Sequence, residues 1–322
     1  MATKKIEQLT PAFQDYLWGG TKLRDIYHKP CNFEKVAESW ELSTHPAGES
    51  RLLCDGQPGP TLREYIAAQG REVLGTNCEK FDEFPVLIKF IDAKDALSIQ
   101  VHPSDEYALE HEGEYGKTEM WIVMDCEPGA FLYFGVNRAL CKEEFRRRIE
   151  ENTVLEVLNR VDVHPGDVFF IESGTIHAIG AGILICEIQQ NSNCTYRVYD
   201  YDRRGADGKP RELHIEKALA VSNLTPSDPE KRKEAAKSVP GGTIQELASC
   251  KYFTTQSLTV DGTMTLGVDE HSFASLVVTE GTGTVAGPEN AVSFKAGDSL
   301  FVPAGTGEIK LSGSCTVIKT TV

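Results

Sequence analysis

Long hydrophobic runs are missing from this sequence: nothing approaches the roughly 20 apolar residues of a membrane-spanning helix. The opening residues Met1-Ala2-Thr3-Lys4-Lys5-Ile6-Glu7-Gln8 lack the apolar centre of a secretory leader. Cys-x-x-Cys pairs are also missing. The nine cysteines are scattered and odd in number, which argues against a zinc ribbon or a disulfide frame and predicts reduced thiols in a cytoplasmic protein. Positive charge is scarce. Against 48 Asp and Glu stand 33 Lys and Arg, and the formal net charge of -15 opposes contact with nucleic acid. What remains is a globular composition, 40% hydrophobic and 25% charged, in a chain of 322 residues that can bury a large core or form two domains.

Glycine (28) and proline (15) punctuate many short β-rich runs, and the fold class read from them is mainly β. Phe84–Phe90, Phe131–Phe134, Val168–Ile171 and Ile183–Cys186 read as strands. Helical spacing appears over Thr61–Leu74, Lys142–Arg160 and His214–Val221, and the Ser227-Asp228-Pro229 step starts a charged helix or linker to Ser238. Alternation along Leu97–Pro103 puts Ser98, Gln100 and His102 on one face of a strand, with Ile99 and Val101 on the other. A buried imidazole on a polar face is costly unless something binds it. Gly116-Lys117-Thr118-Glu119-Met120-Trp121 brings a carboxylate and Gly174-Thr175-Ile176-His177-Ala178 a second imidazole, so a divalent-metal site of the His/Glu type is the candidate. Lys117 shares the face of Glu119, where it could meet an anion or move a proton. Other histidines stand alone or before prolines and are given no role, Trp18, Trp40 and Trp121 read as core aromatics, and Glu38 and Glu41 are left unassigned.

The chain also repeats itself. His164–His177 aligns with Lys295–Glu308: a Gly-Asp turn, a short apolar strand and a small-residue turn in each. Glu308 stands where the first copy has His177, and no Gln-x-His precedes the second copy. Two copies of one β-barrel unit are expected, the chemistry in residues 1–239 and a structural unit in residues 240–322, divided at Pro240-Gly241-Gly242.

The pattern from Gly166-Asp167 to His177 resembles the second motif of cupins, with Glu172 in place of a proline; the later copy keeps Pro303. More specifically, the chain resembles the type I mannose-6-phosphate isomerases (phosphomannose isomerases) of the short bacterial kind. The resemblance rests on Ala37–Ser43, Phe84–Ala93, Leu97–Pro103, Gly116–Trp121, Gly166–Gly180, Glu187–Ser192 and Thr195–Arg203, in the same order along nearly the whole chain. It implies two cupin-type jelly-roll barrels, a bicupin, with a few inserted α-helices. It also implies one zinc ion per chain on Gln100, His102, Glu119 and His177, and a catalytic arginine at Arg197. The implied activity is zinc-dependent interconversion of mannose 6-phosphate and fructose 6-phosphate.

That chemistry moves a proton between C2 and C1 and between their oxygens, through an enediol(ate) whose negative oxygen needs stabilising charge. Glu187 and Arg197 lie at an even spacing, so a single strand would direct both inward, although Asn191-Ser192-Asn193 reads as a turn between them. Ser98 is a candidate phosphate contact, and Lys117, Arg197, Lys89 and Arg203 are candidate cations for a dianionic sugar phosphate. Glu187, Lys117 and a zinc-bound water all stay open as the general base. Gln100 as a hydrogen-bonding neighbour instead of a ligand, and Arg197 as an ion-pair partner of Glu187, stay open too. Two other function classes compete: an iron-dependent cupin oxygenase, which favours a more histidine-rich site, and a non-catalytic sugar-phosphate-binding bicupin. The expected partner is a small sugar phosphate, with no nucleic acid and no membrane, for a monomer or small homo-oligomer.

Overall fold

Val86–Ala93 and Ile183–Gln190 are buried along their whole lengths, because their sheet is covered on both faces. In the computed structural model, which describes residues 4–204, 208–227 and 234–322, they pair at the centre of a six-stranded antiparallel sheet. Its order is Val168–Ile171, Glu119–Cys126, Ile183–Gln190, Val86–Ala93, Glu38–Leu42 and Ala12–Gln14. Successive side chains alternate between faces. Val86, Ile88, Phe90, Met120, Ile122, Leu184, Cys186 and Ile188 pack with Val277, Phe301 and Ile318 of a ten-stranded sheet and with Phe273 just before one of its strands. Ile91, Trp121, Val123, Ile183 and Ile185 pack the opposite way, with Leu132 and Phe134 of a five-stranded sheet. Polar residues interrupt the second of these faces, at Lys89, Glu119, Glu187 and Gln189.

The five-stranded sheet runs Leu158–Asp162, Phe131–Val136, His177–Ala178, Ile99–Val101 and Tyr196–Tyr199. Ile99, Val101, Tyr196 and Val198 point outward onto Phe145, Ile149, Ala218 and Leu219 of the helices Lys142–Glu150 and Ile215–Val221. By alternation Gln100 and Arg197 point the other way, toward the six-stranded sheet.

The ten-stranded sheet joins distant parts of the chain. Thr254–Val268 pairs along its length with Gly307–Thr321, while Glu7–Thr10 lies between Ser299–Val302 and Arg51–Cys54. Among the described residues the strand pairings close no ring. The mainly β class expected from the sequence is present, but no closed barrel is formed among the described residues: the sheets stay open at their edges and are held by face-to-face side-chain packing.

Both copies of the repeat fold alike. Gly166 and Gly297 sit at φ 84 and 92, and Asp167 and Asp298 each accept a backbone N–H three residues back, from His164 and Lys295, at 2.9 Å. Strands Val168–Ile171 and Ser299–Val302 follow. His177 is then buried, whereas Glu308 is exposed.

Local punctuation revises several boundaries. The helix expected over Thr61–Leu74 is Leu62–Gln69, started by a reciprocal Thr61–Glu64 capping box and stopped by Gly70 at φ 94; a short turn, Arg71–Val73, follows. The helix expected over Lys142–Arg160 ends at Glu150, with Asn152 left-handed at φ 56, and Leu158–Asp162 becomes an edge strand beside Phe131–Val136. Helices Lys22–Asp25 and Asp105–His111 carry no strong apolar period and were not expected. Pro240-Gly241 forms the turn of a hairpin between Lys237–Val239 and Gly242–Ser249. Most of the charged stretch from Asp228 onward lies outside the described residues. All nine cysteines are free, and among the described residues no helix is long and apolar enough to cross a membrane.

Candidate active site

Register places the candidate residues in two facing rows. On the five-stranded sheet His177 lies opposite Gln100, and Gln100 opposite Arg197. On the six-stranded sheet Glu187 lies opposite both Lys89 and Trp121. Directly paired residues point to the same side, so each row presents its side chains together. Between the rows lies a cavity of about 280 Å³, lined by Ser98, Gln100, Lys117, Glu187 and Arg197 along with Glu38, Lys89, Arg211, Tyr16 and Trp18.

Behind the lining residues Gln100 and Lys117, which they touch, His102, Glu119 and His177 converge, fully buried, with their ligating atoms within 4.8 Å of one another. His102 Nδ1 lies 2.8 Å from the Cys194 carbonyl and His177 Nδ1 2.8 Å from the Thr175 carbonyl. A carbonyl oxygen only accepts, so both Nδ1 atoms carry the proton and both Nε2 lone pairs face Glu119. His102 Nε2 is 3.7 Å from Glu119 Oε2 and His177 Nε2 is 3.2 Å from Oε1. The 3.2 Å approach would be a hydrogen bond only for a doubly protonated His177. Neither Glu119 oxygen has a hydrogen bond of good geometry, although Lys117 Nζ stands 2.6 Å from Oε2 and 3.2 Å from His102 Nε2. His102 Nε2 and Glu119 Oε2 face the Lys117 ammonium, whereas His177 Nε2 and Glu119 Oε1 face each other at 3.2 Å with no proton between them, an arrangement that suits a further cation. The donors, two imidazole nitrogens and a carboxylate whose rings are oriented by backbone carbonyls, fit a divalent transition metal.

Electrostatics follow from burial and from the three charges in contact. Burial, then the Lys117 cation, holds His102 well below the ordinary histidine value, in its neutral form. Burial opposes the charges of Lys117 and Glu119, but each overcomes it for the other: Lys117 is held above the usual lysine value and Glu119 well below the usual carboxylate value. Glu187 is pushed up by burial and then by the charge of Glu119. Its Oε2 accepts from Trp121 Nε1 at 2.9 Å, while Oε1 has no hydrogen bond and faces Lys89 at 3.6 Å and Lys117 at 3.7 Å.

The structure thus brings together every candidate read from the sequence except Arg203. Gln100 approaches His177 at 3.5 Å through its amide nitrogen. Arg197 and Glu187 do not share a strand: a turn at Asn191–Asn193 separates Ile183–Gln190 from Tyr196–Tyr199, which belongs to the facing sheet. Arg197 Nη1 donates to the Glu212 carbonyl at 2.8 Å, its Nε is buried without a partner, and among the described residues no ion pair joins it to Glu187. Arg203 is committed elsewhere, to Asp200 and the Ala96 carbonyl, and does not line the cavity.

Sequence reasoning left Glu38 unassigned and missed Arg211. Glu38 Oε2 accepts from Trp40 Nε1 at 2.6 Å and lies 3.4 Å from Lys89 Nζ, which stands over the Trp40 ring. Trp40 and Trp121 are core aromatics with a polar handle on a cavity carboxylate, and Trp18 lines the cavity itself. The available signal was parity: Glu38, Lys89 and Glu187 share one face of one sheet.

Comparison with known proteins points to one family. Residues 6–121 match the catalytic domain of phosphomannose isomerase type I, and residues 243–322 match the mannose-6-phosphate isomerase cupin domain. Mannose-6-phosphate isomerase ManA of Bacillus subtilis (strain 168) is 41% identical over 94% of this chain and 94% of its own. The crystal structure of mannose 6-phosphate isomerase from Bacillus subtilis aligns with a TM-score of 0.91 at 36% identity, covering 98% of this chain and 99% of that one. A zinc-bound mannose 6-phosphate isomerase structure shares the fold, with a TM-score of 0.78 at 18% identity over 98% of both chains.

Proposed function

The chain belongs to the type I phosphomannose isomerases, and on that footing we propose how its own residues interconvert mannose 6-phosphate and fructose 6-phosphate. The observation that carries the proposal is the buried His102–Glu119–His177 cluster in contact, through Gln100 and Lys117, with the lining of a cavity that also holds Glu187 and Arg197.

His102, Glu119 and His177 hold one zinc ion, a choice supported by the mixed nitrogen and oxygen donors. Gln100, beside His177, would join them through its amide oxygen. When bound, the metal supplies a Lewis acid that polarises the substrate carbonyl.

Glu187 serves as the general base between C1 and C2. Trp121 pins one of its oxygens, the other has no hydrogen bond, and its pKa, raised by burial and then by Glu119, suits a group that must take and return a proton. Lys117, kept protonated by Glu119 and Glu187, carries positive charge and a donor to the substrate oxygens. Arg197 offers an uncommitted buried Nε–H and a fixed charge beside the developing enediolate oxygen. Ser98, Lys117 and Arg197 bind the sugar phosphate, with Arg211 adding charge at the same cavity. This resolves how a chain of net charge -15 would attract a dianion: the cations are gathered at one site.

The same reading gives residues 1–239 the chemistry and residues 240–322 a cupin domain without ligands of its own. Exposed Glu308 in the place of His177 supports that division.

The direct test is a coupled assay for fructose 6-phosphate on chelator-stripped protein, repeated after zinc is added back. Activity lost on stripping and regained with zinc is expected. Full activity after verified metal removal would overturn the mechanism.

A further inference from the structure

Lys117 must hold a buried ammonium against Glu119, yet the segment Gly116-Lys117-Thr118 has no regular secondary structure. Its three successive amides are held from outside. Gly116 N–H donates to Asp105 Oδ1 at 2.9 Å, Lys117 N–H to the Pro103 carbonyl at 3.0 Å, and Thr118 N–H to Gln190 Oε1 at 2.8 Å. Gln190 is itself fixed to Asp105, its Nε2 donating to the same Oδ1 at 2.7 Å. Two of the three supports therefore lead to one carboxylate. Position 116 is also pressed against that carboxylate's backbone: a Cβ there would lie 2.4 Å from the Ser104 carbonyl carbon and 2.5 Å from the Asp105 nitrogen.

The other oxygen of Asp105 is held from the far side of the boundary. Tyr252 hydroxyl donates to Asp105 Oδ2 at 2.7 Å, from a ring buried beside Phe81. Tyr252 belongs to the part of the chain that matches the cupin domain, and Asp105 to the part that matches the catalytic domain. Its competitor for Oδ2 is the exposed Lys251 Nζ, at 3.7 Å.

We propose that Tyr252 is a positioning residue of the isomerase, bracing Lys117 through Asp105, Gly116 and Gln190. The proposal rests on the assignment of Lys117 to the reacting centre made above. Without the hydroxyl, Asp105 is free to turn toward Lys251 and water, and the supports at Gly116 and Thr118 loosen together. The C-terminal domain then contributes to turnover without lending any group to the substrate.

The test compares Tyr252→Phe with Tyr65→Phe in the full-length, metal-loaded protein. Tyr65 is a buried tyrosine whose hydroxyl has no hydrogen-bond partner, so it controls for the substitution itself. Misplacement of a catalytic group by a fraction of an ångström predicts a fall in kcat of roughly tenfold for Tyr252→Phe, with metal content, Tm and KM for mannose 6-phosphate little changed. Asp105→Asn should lower kcat as well, and the double variant Tyr252→Phe with Asp105→Asn should lose no more than the worse single one. A kcat for Tyr252→Phe within twofold of the unmodified protein overturns the proposal. So does a loss that follows Tm or metal content, or a double variant whose losses multiply. Absence of conversion in the unmodified protein removes the isomerase reading itself and the proposal with it.

Discussion

Trp121 and Glu187 are register partners on neighbouring strands, and the indole Nε1 of one donates to Oε2 of the other at 2.9 Å. A core aromatic thereby decides which carboxylate oxygen faces the cavity and which is spent on the scaffold. Trp121→Phe leaves the ring volume largely in place and orphans that oxygen. The expected cost is about 1–3 kcal/mol in a urea titration. Loss of a donor to the charged form also raises the Glu187 pKa further, so the acid limb of the kcat/KM profile should move to higher pH.

Removing a ligand tests the metal cluster directly. His177→Ala should bind zinc more weakly by more than the roughly 10–100-fold lost with an orienting partner alone, as read by metal analysis after dialysis. For the unmodified protein, zinc at 100 times its Kd should raise stability by about 2.7 kcal/mol, and His177→Ala should lose that gain.

Arg197 touches none of the three converging residues, so metal and turnover should separate there. Arg197→Ala is expected to keep its zinc and to lose about 10²–10³-fold in kcat, the scale set by removing one donor to a developing oxyanion. Loss of zinc in that variant would make Arg197 a structural residue.

His214 gives a pH test away from the metal. Its Nδ1 accepts the Arg197 N–H at 3.0 Å, and its own N–H donates to the Arg197 carbonyl at 2.8 Å. Burial, then the Arg197 charge, lowers its pKa from 6.5. The folded form therefore prefers neutral His214: the stabilisation is full above pH 6.5 and is lost as the pH falls through the lowered value. In His214→Asn, whose amide oxygen can still accept, stability should fall less between pH 7 and pH 5 than in the unmodified protein. The measurement is denaturant unfolding at both pH values.

The parts of the site carried by single short segments were legible in the sequence. Ser98, Gln100 and His102 announced a strand with a polar face, and the two Gly-Asp turns announced a repeat whose second copy had lost its imidazole. What stayed hidden depends on pairing between distant segments. Nothing local says that Glu38, Lys89 and Glu187 fall in adjacent strands, or that Glu7–Thr10 completes a sheet with Ser299–Val302. The turn chemistry of Pro240-Gly241 is the same in a linker and in a hairpin, so the choice between them came from the partner strand. The helix expected to reach Arg160 failed because Asn152 turns left-handed, Val154–Val157 form a short 3-10 turn, and the open edge beside Phe131–Val136 claimed the chain from Leu158 onward.

The pairing of Glu7–Thr10 with Ser299–Val302 also fixes an order of events during synthesis. Glu7–Thr10 leaves the ribosome long before Ser299–Val302, so it finds one of its two neighbours only when residues near 300 have emerged. Until then its outer edge lacks a partner, and a nascent chain carrying an unpaired edge is prone to association. Such closure across nearly the full chain also makes folding slow for the size of the protein. Early release of the growing polypeptide, before that second neighbour exists, would leave a product with His102, Glu119 and His177 already made and one side of its sheet still bare.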